Sequence, residues 1–170
     1  MAQPKADKIF EKIRSLFQGM TVAGGFNYAP TVVHRWERPE PNEHFHGDEE
    51  VVYVIFPGDS RTETGRTTGD QDAIIQKEME IEIIAARRSD LARKATQPHS
   101  EALQANQPSR ERVKENLSQD IERALFTDVR LGGLSWQIVI VDVNLHLVVE
   151  QYDAIHVPIT VSHDTRRSDL

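Results

Sequence analysis

The sequence predicts a single α+β domain, a mixed or antiparallel sheet of about five strands covered by two helices. Three observations predict it. Two stretches, Lys5 to Phe17 and Val113 to Leu125, repeat apolar residues at helical spacing. Apolar runs and strict alternation elsewhere read as strands. The resulting order, α-β-β-β-α-β-β, is not the regular strand–helix repeat of a parallel fold. A chain of 170 residues suits one domain, since domains commonly hold about 100–200 residues. Two long polar loops are expected at about 58–72 and 88–107, and a polar tail at 163–170.

In the first helix Ile9, Phe10, Ile13, Leu16 and Phe17 share a face, while Glu11, Lys12 and Arg14 point away. Gly19 and the Gly24–Gly25 pair end it. Thr31 to Glu37 is a short strand between Pro30 and Pro39. Val51 to Phe56, VVYVIF, is too short for a helix and rich in β-branched residues, so it reads as a central strand buried on both faces. Gly58 to Asp72 is polar and glycine-dotted, and reads as a mobile loop longer than most connectors. From Ile75 to Ile83, Ile75, Met79, Ile81 and Ile83 alternate with Gln76, Glu78, Glu80 and Glu82, the pattern of a strand with one wet face. Arg87 to Gln107 lacks periodicity and reads as a second loop, with a helical turn near Glu101 to Gln104.

Val113, Leu117, Ile121 and Leu125, with Ala124, form the apolar stripe of the second helix. Pro108 suits its first turn, where a missing N–H costs nothing. Gly132 and Gly133 then turn the chain into a long strand, Trp136 to Val149. On that strand Val139, Val141, Val143, Leu145, Leu147 and Val149 are expected to face the core. Tyr152 to Ala154 reads as a turn. Ile155, Val157, Ile159 and Val161 then alternate as the second strand of an antiparallel hairpin. Pro158 has no N–H for a ladder, so that strand is expected at an edge or with a bulge.

Composition narrows the function. The net charge is −7, which disfavours a general nucleic-acid binder. The absence of cysteine excludes disulfides, thiolate metal sites and thiol nucleophiles. No apolar run approaches the roughly 20 residues of a membrane helix. The amino terminus lacks the apolar centre of a signal peptide, and a cytoplasmic site of synthesis and use is expected. Nucleotide-loop, dinucleotide, nucleophile-elbow and zinc-helix motifs are all missing. His44, His46 and Glu50 resemble the first metal motif of cupin barrels, HxHxxxE before a strand and a glycine, here Gly58. A cupin needs a later histidine on a strand and many more short strands, so the segment reads instead as a polar turn, with no metal and no cofactor expected. His146 and His156 lie on opposite strands of the expected hairpin and read as exposed neighbours. Arg35, Arg61, Arg66, Arg87 and Arg88 scatter. No catalytic constellation emerges.

The segment Asp120 to Trp136, DIERALFTDVRLGGLSW, resembles the corresponding stretch of the tail terminator (tail completion) proteins of long-tailed bacteriophages. Met20 to Tyr28, MTVAGGFNY, and Val51 to Asp59, VVYVIFPGD, are similar to further segments of that family in the same order. The last strand, HVPITVSH, takes the place of the family's final strand. Two departures exist: Glu49-Glu50 stands where a proline usually precedes the central strand, and the Ser89 to Pro108 loop is longer. The resemblance implies a structural virion protein without an active site. It implies a hexameric ring at the head-proximal end of the tail tube, ending tube polymerisation and joining tail to head. The implied partners are further copies, the tail tube protein, a neck or head-completion protein, and the sheath if the tail contracts. Neither a membrane nor a specific nucleic-acid sequence is among them. The implied location is the virion, assembled in the host cytoplasm. The alternatives are another neck protein, such as a stopper, and a small cupin-like metal enzyme. Within the first loop Arg61, Thr64, Arg66 and Thr68 are the expected interface residues, ordering against a neighbour on assembly.

Overall fold

A computed structural model describes residues 5–30, 32–36, 50–55, 61–66, 74–88, 107–144, 148–149 and 152–166. Two helices, α1 (Lys5–Gln18) and α2 (Gln107–Thr127), lie against seven strands: β1 (Val32–Trp36), β2 (Glu50–Ile55), β3 (Arg61–Arg66), β4 (Ile74–Arg88), β5 (Gln137–Ile140), β6 (Val148–Val149) and β7 (Tyr152–Arg166). The sheet is built on β4 and β7, each 15 residues long. They pair antiparallel over their whole length, from Ile74 opposite Arg166 to Arg88 opposite Tyr152. β2 and β3 share the other edge of β4, β2 at its second half and β3 at its first. β5 and β6 share the other edge of β7. β1 joins β2, the one parallel pair in an otherwise antiparallel set among the described strands.

Alternation decides which face each residue takes, and the two helices cover one face. Met79, Ile81, Ile83 and Ala85 of β4 and Ile155, Val157, Ile159 and Val161 of β7 form one core with Ile9, Phe10, Ile13 and Phe17 of α1 and Leu117, Ile121, Ala124 and Leu125 of α2. Both helical stripes are therefore buried as their spacing predicts, with Leu16 and Val113 only partly so. On the opposite face a smaller cluster joins Val51, Tyr53 and Ile55 of β2 to Ile84, Ala86, Tyr152 and Ala154. This explains VVYVIF: Val51 to Ile55 are all buried, because β2 has a strand on each side and apolar groups on both faces.

Six expectations need correction. The Gly58 to Asp72 loop contains a strand, since Arg61 to Arg66 pairs with β4. The first half of β4 runs past the end of β2, and its backbone groups on that edge need partners, which the threonine-rich segment supplies. The wet-faced strand extends to Arg88, so Arg87 and Arg88 belong to it, and the rest of the second expected loop, 89–106, lies outside the described residues; Ile84, Ala85 and Ala86 are buried on alternate faces, which hides the alternation. Tyr152 to Ala154 is not a turn but the start of β7, and the first residues of the expected tail, His163 to Arg166, belong to β7, with His163 buried. The long strand from Trp136 shrinks to β5, followed by the single bridge of Asn144 with His156 and then β6. Lastly, β7 lies between β4 and β5 rather than at an edge. Pro158 is tolerated there because its carbonyl accepts from Val141 N–H at 2.9 Å, just past the last β5 pair, Ile140 with Ile159. Its ring nitrogen is on that same, already interrupted, side.

Candidate assembly surface

The turn after α1 is held to α2 by a buried carboxylate. Asp120 is 1% exposed and sits within the apolar stripe of α2, between Leu117 and Ala124. Its Oδ1 accepts from the Asn27 backbone N–H at 3.0 Å and the Asn27 side-chain amide at 2.9 Å, and its Oδ2 accepts from the Tyr28 N–H at 2.9 Å. One helical turn on, Arg123 donates to the Gly25 carbonyl and stacks 5.1 Å from the Phe26 ring. Gly25 has φ +87°, and a Cβ there would sit 3.0 Å from the Arg123 guanidinium. Gly25→Ala should therefore cost about 1–2 kcal/mol through left-handed strain alone, read as a lower urea midpoint with unchanged slope. An unchanged midpoint would show that the turn relaxes freely.

The anchoring continues to the sheet. The Ala29 N–H donates to Glu50 Oε2 at 3.0 Å, and Glu50 pairs with Arg87 across β2 and β4 at 3.6 Å. Arg87 in turn lies 4.8 Å from the Tyr28 ring. Glu50, the carboxylate of the cupin-like motif, is thus engaged in holding this turn, while His44 and His46 fall outside the described residues. Among the described residues no group of three metal-ligating side chains occurs. At the start of α2, Arg110 pairs with the buried Asp153 of β7. Burial pushes the neighbouring Lys114 ammonium below the usual lysine value, partly offset by Asp153.

The glycine corner has its own physical cause. Leu131, Gly132 and Gly133 all adopt positive φ, at 48°, 67° and 89°. The Arg130 carbonyl accepts from Gly133 N–H at 2.8 Å and Ser135 N–H at 3.1 Å, which closes the turn that follows α2. A leucine in this region is strained, by about 1–2 kcal/mol. The Leu131 side chain is fully buried, which offsets that cost.

The helix-free face of the sheet is open at the end away from the β2 cluster. Three rows cross it. Glu78, Ser162 and Gln137 are successive partners, as are Glu80, Thr160 and Val139. Glu82 pairs with Pro158, whose carbonyl meets Val141. Cross-strand partners share a face, so the β7 column of Ser162, Thr160 and Pro158 lies between a carboxylate column on β4 and the column Gln137, Val139 and Val141 on and after β5. Glu80 is exposed, and Val139 and Val141 are 40% and 62% exposed. Their outward direction reverses the expectation that they face the core. The register places Ile138 opposite Val161 and Ile140 opposite Ile159, so the even residues of β5 take the helix side. Phe126, Val129 and Trp136, around the glycine corner, are also exposed, as is Val22.

The residues expected at an interface are divided by the structure. Arg61 and Arg66 stand at the two ends of β3, and Thr64 is the extra residue of a bulge between Glu63 and Gly65. Thr68 falls outside the described residues, as does His146; the backbone partner of His156 is Asn144, and its side chain lies 3.3 Å from Glu82. The sequence reading passed over Asp120, Arg123, Val139 and Val141 as site residues. For Asp120 the available signal was a carboxylate inside an apolar helical stripe. For the valines there was none, because strand register is not local. No protein-family model and no curated protein matches this chain.

Proposed function

We propose that this chain is a structural subunit of the ring that closes the head-proximal end of a bacteriophage tail tube and joins tail to head. The observation that carries the reading is a contact. Met20 to Tyr28 and Asp120 to Trp136, two of the segments that resemble the tail terminator family, are bound to each other through Asp120 and Arg123. Residues far apart in the chain but similar to one family thus form one built unit. An α+β domain with both helices on one face and exposed apolar residues on the other also suits a subunit that associates. No catalysis is part of the proposal; the ring acts by occupying the tube end, with copies joined by heterologous contacts that close.

The test is assembly. Purified protein is mixed with the polymerising tail tube protein and viewed by electron microscopy. The expected result is a sixfold ring on one tube end and arrested growth. Tubes that keep growing, with the protein absent from their ends, would overturn the reading. A ring found instead in a layer between terminator and head would favour the neck-protein alternative.

A further inference from the structure

The open sheet face and the outer side of α1 lie on opposite sides of a two-layer domain, and they differ in charge. The face carries Glu78, Glu80 and Glu82, the last paired with His156, and, across the β7 column of Ser162, Thr160 and Pro158, Val139 and Val141. The helix carries Lys5, Lys8, Lys12 and Arg14 against only Asp7 and Glu11, in a chain whose net charge is −7. Lys8, Lys12 and Ser15 recur at helical spacing and form an outward stripe beside the buried Ile9 and Ile13, with Lys8 and Ser15 exposed. Lys12 reaches Asp128 at 3.6 Å with about two fifths of its side chain in solvent.

Resting on the ring reading, we propose that the occupant of the open sheet face is the α1 lysine stripe of the next copy. Charge complementarity selects it. An acidic chain approaches its own acidic face favourably only through a local surplus of cations, and α1 holds one. The ammonium groups can meet the β4 carboxylates while the lysine stems lie across Thr160 and Pro158 of β7, the column between those carboxylates and Val139 and Val141. Because the two surfaces are different and lie on opposite layers, the contact is heterologous; it propagates from copy to copy, and a ring requires that the rotation between copies close. The β4 carboxylates and the α1 lysines are then two halves of one subunit boundary.

Charge reversal tests this with light scattering after size exclusion. Glu80→Lys and Lys8→Glu are both surface changes, and circular dichroism melts should match the parent. Each variant alone places like charges across the boundary and should lose the ring. The double variant restores opposite charges and should regain it. An equimolar mixture of the two single variants should also assemble, since alternating copies again present opposite charges. Rings that survive both single substitutions would overturn the inference and leave the proposed function standing. Singles that fail without rescue in the double or the mixture would overturn it too. A parent protein that stays monomeric at every concentration, with tail tube protein present or absent, would defeat both.

Discussion

Leu125→Ala should produce the largest loss of stability among the variants proposed. Leu125 is fully buried, in a core shared with Ile9, Ile13 and Phe17 of α1 and with β4 and β7. Removing a buried leucine side chain costs about 2–5 kcal/mol, the spread reflecting how far the cavity collapses. In a chain of this size each kcal/mol moves the melting temperature by about 2–4 °C. A fall of roughly 4–20 °C is therefore expected in a thermal melt. Phe126→Ala, one residue on but more than half exposed, serves as the control and should change little. An unchanged melt for Leu125→Ala would mean that this face of α2 is not packed on the sheet.

Asp120→Ala should come second, by a different mechanism. The buried carboxylate accepts three hydrogen bonds, one from the buried Tyr28 N–H and two from the exposed Asn27, through its backbone N–H and its side-chain amide. Without it the buried Tyr28 N–H loses its partner, which costs about 1–3 kcal/mol, while the donors of the exposed Asn27 turn to water. Asp120→Asn separates charge from shape. Its single carbonyl oxygen can replace one acceptor, but its NH2 then faces another donor, so about half the loss should return. Hydrogen exchange at Asn27 and Tyr28 should accelerate in both variants, more in the alanine. Slow exchange at both amides after Asp120→Ala would show that the turn is held from elsewhere. The variant also bears on the proposed function: a turn freed from α2 should leave tube capping weakened even at temperatures where the core stays folded.

Local pattern was enough for the helices and for the identity of most strands. Ile9, Phe10, Ile13 and Phe17 face the core as spaced, and so do Leu117, Ile121 and Leu125. Ile155, Val157, Ile159 and Val161 also keep their phase. In each of these, one face meets one continuous core, so periodicity and burial coincide. Failures begin where that condition ends. Ile84 to Ala86 are buried on both faces, so alternation vanishes although the strand continues. Arg61 to Arg66 has nothing apolar, and only the spare edge of β4 makes it a strand.

By itself the sequence determined the α+β class, the two helical stripes, the doubly buried β2 segment and the glycine corner, because those depend on residues close together in the chain. The tertiary structure decided the pairing order, the lengths of β4 and β7, the interior position of Pro158 and the outward direction of Val139 and Val141. It also decided that Asp120 closes on Asn27 and Tyr28, 92 or more residues away. The physical reason is register. A one-residue shift turns every side chain of a strand to the other face, and the register of β5 is set by β7, not by any residue within it.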